Sequence, residues 1–420
     1  MLGYYEPLSG NATNQDLDTP IDYDDAVNPV PQSEAGAKKL KLSWTPIMNI
    51  HPSRIGQILI LTAFVLEAFG SIFAQPPRPI RTTKTAINGP SSLALFEDRY
   101  LFVVEQGDYR SRVLRIDLKN RTITTVAGNG QNCCYKEHAL ATDVGFEWVN
   151  SIAVDSRGNL FIADSNYVRK VDGQTAHIVT VAGNGEGLHT TEGPSGLTTT
   201  FGAVIGLAFD SSDNLFVSDG SKIFKIESAS GALSAVAGNG TTGFSGDGDL
   251  ATNASFRDLR SIAIDSVGNI IAADVENCRI RRIDHATAII DTVAVSGGIK
   301  ENCPPQLGTI PWQQSPDDPV IDARGNIYFD EPSVGLIAQA TSIPVRPRIV
   351  AGTGVQGFNG AGGAATSAQL HNPSGLAVDT AGNLFIADFV NNRIYRVDGK
   401  TRRIAIIAGN GLPHRVDTQM

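Results

Sequence analysis

The sequence predicts an all-β fold: a six-bladed β-propeller of four-stranded antiparallel blades, preceded by a disordered N-terminus and one hydrophobic segment. The first observation is repeated text. The stretch Gly375–Gly411 begins GLAVDTAGNLFIAD, and close copies begin at Ser151, Gly206 and Ser261. The second is composition, because each copy divides into four short runs rich in Val, Ile, Leu or Phe that end at Gly, Asn or Asp. Self-similarity at this period is typical of solenoids, propellers and arrays.

The spacing of the copies gives the number of units. The residue that closes the first strand recurs at intervals of 59, 55, 55, 57 and 57 residues, and the Ala that opens the AGNG-like end lies 28 residues before the next such marker in all five cases. The length variation therefore falls inside each unit, mainly in the turn between its second and third strands. The six markers are Phe96, Asp155, Asp210, Asp265, Asp322 and Asp379.

Closure into a ring is the favoured arrangement of these six units. An isolated four-stranded sheet exposes both of its faces to water, so neighbouring units must stack to bury their apolar side chains. A linear β array is the alternative, but it would need polar capping repeats, and the first and last units look like ordinary ones. Pro79–Ile87 is a weak strand candidate, so the sequence does not show how the ring closes.

The repeat text resembles the NHL-repeat family. The pattern PxGLAVDxxGNLFIADxxNNRIxxVD is strongest over Pro373–Gly411, clear in units two to four, and weaker in units one and five. Loops such as GFSGDGDLATNASF (Gly243–Phe256) are similar to those of secreted bacterial members. The resemblance implies a six-bladed propeller over residues 88–411 and a role in recognition, and it implies no activity.

The N-terminal part lacks the repeat. We expect residues 1–47 to be a disordered polar segment and residues 48–74 to be a signal peptide starting at Met48 or an uncleaved signal anchor, because residues 55–74 are apolar enough for either. Both alternatives place the repeats outside the cytoplasm, in the secreted, periplasmic or membrane-anchored state. Residues 75–87 are predicted as a linker and residues 412–420 as a tail.

Charge and cysteines limit the partners. A net charge of -9 and a pI near 5.3 argue against nucleic acid as a partner, which needs a basic surface. The spacing of Cys133, Cys134, Cys278 and Cys303 matches no zinc motif, and disulfide formation is expected only if the chain is exported.

One carboxylate ends the second strand of every unit. Six of them could form a ring that attracts a cation, but an acidic residue before a tight turn accepts backbone hydrogen bonds, and every unit needs that turn. We interpret the ring as structural. Its members are Glu105, Asp164, Asp219, Asp274, Glu331 and Asp388.

Function is expected where the units differ. Because strands alternate in direction, the turns between strands two and three and the connections between blades open at one end of the blades, which we call the loop-rich face. Residues just before each first strand approach the mouth of the central channel there. The candidates are Glu147, Trp148, Asn150, Arg257, Asp258, Arg260, Trp312, His371 and Asn372, with Asp317 and Asp318 beside Trp312.

These residues favour a binding scaffold for a protein, peptide or glycan. A metal-dependent enzyme of the lactonase or lyase type, with its site at the channel mouth, and a structural spacer in the cell envelope are the alternatives. His371 is the one histidine just before a first strand, and GxSxG and HExxH motifs are absent. We therefore predict no catalytic residues and no cofactor, with an oxygen-ligated Ca²⁺ site left open.

Overall fold

The computed structural model describes residues 80–107, 111–132, 136–185, 190–295, 316–340 and 347–412. The predictions for residues 1–74 and for Trp312, Cys133, Cys134 and Cys303 lie outside these ranges. Within them, no helix has the length and apolar character needed to cross a membrane.

Six antiparallel sheets follow one another along the chain, one for each predicted unit. The all-β, six-bladed fold predicted from the sequence is confirmed. The strands of the first three blades are β1 Ile80–Arg81, β2 Pro90–Phe96, β3 Tyr100–Glu105, β4 Arg112–Asp117, β5 Thr122–Ala127; β6 Ala139–Leu140, β7 Val149–Val154, β8 Leu160–Asp164, β9 Tyr167–Val171, β10 His177–Ala182; and β11 Gly206–Phe209, β12 Leu215–Ser218, β13 Ile223–Ile226, β14 Leu233–Ala237.

The last three blades repeat the pattern, and every blade pairs its four main strands with their neighbours in chain order. Their strands are β15 Asp249–Leu250, β16 Leu259–Ile264, β17 Ile270–Asp274, β18 Arg279–Ile283, β19 Ile289–Val295; β20 Asp317–Ile321, β21 Ile327–Glu331, β22 Leu336–Ala340, β23 Arg348–Ala351; and β24 Pro373–Val378, β25 Leu384–Asp388, β26 Arg393–Val397, β27 Ile404–Ala408. Below, strands one to four of a blade are these main strands.

Among the described residues, three blades carry a fifth, two-residue strand; β1 lies within the weak strand candidate Pro79–Ile87, and the sequence did not predict β6 or β15. β1, β6 and β15 each pair with the fourth strand of their blade, at its outer edge. A short 3-10 helix follows each of them before the chain reaches the first strand. The 3-10 helices among the described residues are Thr82–Lys84, Ala141–Asp143, Gly196–Thr198, Ala251–Asn253, Val275–Asn277, Pro332–Val334 and Ala365–Ser367.

The core lies between the blades. Apolar side chains form six clusters, and each cluster joins two adjacent blades. The cluster that joins blades six and one contains Phe385 and Leu101, so the ring is closed. The second strands are buried on both faces, since each is sandwiched between the neighbouring blades. This explains their nearly continuous apolar sequences.

Turns between the first and second strands share one hydrogen-bonded arrangement. In blade six, Asp379 accepts the backbone N–H of Asn383 at 2.7 Å and its side-chain amide at 2.6 Å. The Asp–Asn pairs of blades two to five make the same two bonds. The Asp–x–x–x–Asn pattern therefore marks a turn that is closed by side-chain hydrogen bonds. Because blades two to six share it, their turns at this end have the same structure.

The AGNG-like ends join each blade to the next. The first Gly donates its N–H to the first residue of the following 3-10 helix, as in Gly128 to Ala141 at 2.9 Å and Gly238 to Ala251 at 2.9 Å. The last blade makes this bond from Gly409 to Thr82 at 3.1 Å. Residues 80–87, predicted as the end of a linker, therefore form part of the propeller and fill the junction between blades six and one.

Candidate functional site

Four of the six carboxylates that end the second strands bind the backbone of the chain just before the first strand. Asp164 accepts the N–H of Glu147 at 3.0 Å, and Asp274 accepts that of Arg257 at 2.9 Å. Asp219 differs, because it accepts N–H groups of its own turn. The other bonds of this type run from Asn88 N to Glu105 Oε1 at 2.8 Å and from His371 N to Asp388 Oδ1 at 3.1 Å.

The Asn and Arg of the NNRI segment clamp the loop that precedes their blade. Asn391 donates its side-chain amide to Asp388 at 2.7 Å and to the carbonyl of Gly357 at 2.6 Å. The Arg393 guanidinium lies 3.9 Å from the centroid of the Phe358 ring. Blade four repeats these contacts: Asn277 bonds Asp274 and Gly243, and Arg279 lies 3.6 Å from the centroid of the Phe244 ring.

Burial changes the acidity of these strand-end carboxyl groups. Desolvation raises the pKa of Asp164 and of Asp274 to about 6, and that of Asp388 to about 7, against an ordinary value of 3.8. Backbone hydrogen bonds oppose each shift. Their hydrogen bonds show that these side chains position the loop-rich face.

Asp247, in the Gly246–Leu250 segment, is also engaged within the protein. The fully buried Arg281 donates to Asp247 Oδ1 at 2.7 Å, and Thr292 donates to its other oxygen at 2.6 Å. Asp249 accepts the N–H of Leu250 at 2.7 Å. Within the ranges that the structure describes, no group of three or more His, Cys, Asp or Glu side chains is arranged to hold a metal ion.

The predicted channel-mouth residues occupy equivalent positions but do not form one cluster. Glu147 and Trp148 are exposed, and Trp148 has 42% of its surface accessible. Asn150 is directed to the next blade, where its amide donates to the carbonyl of Val204 at 2.8 Å. The carbonyls of Trp148, Asp258 and Asn372 each accept the N–H that follows a second-strand carboxylate.

One predicted arginine of blade four contacts two of the predicted acidic residues. Arg260 donates from Nε to Asp258 at 2.9 Å and from Nη1 to Asp317 of blade five at 3.2 Å. Arg257 lies 3.6 Å from Glu276, an exposed pair. The arginines at this mouth are thus matched to acidic neighbours.

The first strands surround a small cavity in the central channel. A cavity of about 60 Å³ lies among the first strands, lined by hydroxyl groups of Ser92, Ser151 and Ser261 and by Leu and Ile side chains. Asp318 is the carboxylate in this lining, and it accepts the Ser261 hydroxyl at 2.6 Å. Desolvation, followed by repulsion from Asp317, raises the pKa of Asp318 to about 7.

Asp330 is the residue that sequence reasoning missed. It precedes the strand-end Glu331, is 0% exposed, and neither carboxylate oxygen accepts a hydrogen bond from another of the residues that the structure describes. Burial, then repulsion from Asp318 and Asp317, raises its pKa well above the ordinary value. The available signal was an Asp in unit five where units two, four and six have Ala163, Ala273 and Ala387.

Comparisons with known proteins agree with this architecture. The NHL repeat family model matches residues 370–395. Mouse (Mus musculus) Teneurin-1 is 25% identical over 231 residues, which is 48% of this chain and 8% of Teneurin-1. The chain therefore spans less than a tenth of that relative.

Two solved structures from Bacteroides thetaiotaomicron share the fold. An auxiliary nutrient binding protein matches with a TM-score of 0.52 at 15% identity, over 76% of this chain and 70% of that one. A structural genomics protein of unknown function matches with a TM-score of 0.51 at 14% identity, over 78% and 72%. Identity this low supports the fold alone. With the six sheets and the matched repeat, the chain is a six-bladed β-propeller that carries an NHL repeat.

Proposed function

We propose that this propeller is an exported binding scaffold that takes a protein, peptide or glycan on its loop-rich face. The observation that carries the proposal is the distribution of exposed apolar side chains. Among the large hydrophobic residues that the structure describes as exposed, Trp148, Phe244, Phe358 and Val390 lie near the loop-rich face, whereas Val267 lies in a turn at the opposite end and Leu140 and Leu250 pair with the start of a fourth strand. Loops on a rigid scaffold are where binding surfaces usually arise.

Four of these side chains lie beside strand ends on the loop-rich face. Trp148 precedes a first strand, Val390 lies in a turn after a second strand, and Phe244 and Phe358 stack on arginines that begin third strands. Aromatic residues and Arg are enriched in recognition surfaces, so this combination suits a binding role. The opposite end of the blades carries the uniform Asp–Asn turns, which leave little variety for recognition.

Export is part of the same proposal. Cys278 is disulfide-bonded, and structural disulfides persist mainly in oxidising compartments. The apolar residues 55–74 would supply the signal or the anchor. N-terminal mass analysis of the natively expressed protein tests this: a start near Gln75 or an anchored chain supports export, and a reduced chain in the cytoplasm refutes it.

The binding proposal is tested with full-length protein screened against a random peptide library and a glycan array. Binders should lose affinity for the Trp148→Ala and Arg260→Ala variants. They should retain it for Val267→Ala, because Val267 is 68% exposed in a turn at the opposite end. Binders that respond to Val267→Ala and ignore both loop-rich-face variants would place recognition elsewhere and refute the proposal.

A further inference from the structure

Blade five departs from the other blades at its second strand. The residue before the strand-end carboxylate is Val, Ala or Ser in the other five blades and Asp330 here. Both of its oxygens are buried, and no other residue in the described ranges donates a hydrogen bond to them. A buried polar group with no partner is destabilising, and more so when it is charged, so Asp330 destabilises blade five in a way that the other blades avoid.

Two further carboxylates lie close by. Asp317 is the cross-strand partner of Asp330 in the sheet, and Asp318 follows it at the start of the first strand. Arg260 offsets the charge of Asp317 at 3.2 Å. For Asp318 and Asp330, no cationic side chain among the described residues lies within ion-pair distance. The three carboxyl groups therefore share one described cation, Arg260, and burial favours the protonated forms of Asp318 and Asp330 until a further cation is bound.

The adjoining cavity limits what can enter. It holds about 60 Å³, which is about the share of two water molecules in the liquid. Its walls combine serine hydroxyls with Leu93, Ile152 and Leu207. A space of this size admits the end of one slender side chain, with an apolar stem against the Leu and Ile side chains and a polar head at Asp318, the one carboxylate of the cluster that lines the cavity.

A primary ammonium group fits these constraints. It is compact, carries three donors, and ends a flexible aliphatic stem, whereas a guanidinium is a broad planar fork. The described side chains form no ready-made metal centre. We propose that the Asp317–Asp318–Asp330 cluster at the channel mouth binds the ε-ammonium group of a lysine presented by a protein partner docked on the loop-rich face. This inference rests on the proposed binding function and identifies one feature of its partner.

The test uses full-length protein and two small probes, Nα-acetyl-lysine methylamide and its norleucine counterpart, with the melting temperature and NMR titration as readouts. The lysine probe should raise the melting temperature saturably, and the norleucine probe should not. Asp330→Ala and Asp318→Asn should weaken the lysine probe about tenfold or more, because each removes a desolvated charge partner. Asp291→Asn, at an exposed site on blade four, should leave binding unchanged.

A second readout needs no probe. Asp330→Ala restores the residue found in blades two, four and six, so it should raise the melting temperature of the free protein while it removes the lysine response. Equal responses to the two probes, a lysine response that survives Asp330→Ala, or a saturable response to CaCl₂ or MgCl₂ that needs the same carboxylates would each overturn the inference.

These results are separable from the proposed function. A library binder that is lost in Trp148→Ala but retained in Asp330→Ala would overturn the lysine site and leave the binding face standing. The absence of any binder that depends on the loop-rich face would overturn the proposed function itself.

Discussion

Gly409 donates its backbone N–H to the carbonyl oxygen of Thr82 at 3.1 Å, which joins the end of the last blade to a residue that precedes the first. Gly128 and Ala141 make the same bond between blades one and two. Ile87 follows Thr82 by the same number of residues as Phe146 follows Ala141, and both side chains are 0% exposed. The ring thus closes with the same contacts that join its internal blades, supplied by a segment without the repeat text.

The closing segment should be important for stability. Ile87→Ala would leave a cavity between blades six and one, and we expect it to lower the free energy of unfolding by about 2–5 kcal/mol. Thr83→Ala, four residues earlier on an exposed side chain, should change it by less than about 0.5 kcal/mol. Urea denaturation of the two variants provides the measurement. Equal stability of both would show that this segment is dispensable for closure.

The buried Arg281 should stabilise the loop between blades three and four. It donates to Asp247 and to the carbonyls of Ser245 and Ser255, so Arg281→Ala would leave these acceptors unsatisfied. We expect a loss of about 3 kcal/mol. The neighbouring Arg282 is partly exposed and lies 3.4 Å from Asp284, so Arg282→Ala should cost less than about 1 kcal/mol. Similar losses in both variants, measured by urea denaturation, would refute a special role for Arg281.

Stability should fall as the pH rises from about 4 to about 7. The folded-state pKa values of Asp164, Asp274 and Asp388 are about 6, 6 and 7, above the unfolded value, so the folded protein binds more protons in this window. Their contribution is complete below the unfolded pKa and is lost as the pH rises through the folded pKa. Melting temperatures at pH 4.5, 6 and 8 measure the slope.

A matched pair of variants tests whether Asp388 contributes to this dependence of the melting temperature on pH. Asp388→Asn should flatten it, because Asn cannot ionise. Hydrogen bonds from Thr401 lower the pKa of the partly exposed Asp398, whose stabilising contribution is present above the unfolded pKa and is lost only at lower pH. Asp398→Asn should therefore leave the slope between pH 4.5 and 8 unchanged. A slope that Asp388→Asn does not alter would contradict the assignment.

The sequence was sufficient for the parts of the molecule that repeat. Asp379 was identified as the residue that closes a first strand, and in the structure it accepts two hydrogen bonds from Asn383 that close the following turn. A closed ring was predicted, but the way in which it closes was not, because Thr82 and Ile87 occupy the same positions as residues of the internal junctions without sharing their sequence. Asp330 was not predicted because its lack of partners depends on groups from other strands and the next blade, which strand alternation cannot identify. Trp312 stays a prediction.

The first Gly of the AGNG-like ends should be far less replaceable than the second. Gly352 and Gly354 both have positive φ, +92° and +79°, so an Ala side chain costs about 1–2 kcal/mol at either position. At Gly352 the new Cβ would also overlap the carbonyl oxygen of Gly335, whereas at Gly354 the nearest atom is 3.9 Å away, on Leu336. Backbone atoms cannot move aside as a side chain can. We expect Gly352→Ala to lose several kcal/mol more than Gly354→Ala in urea denaturation, and equal losses would show that the close approach between blade five's turn and its fourth strand does not require glycine.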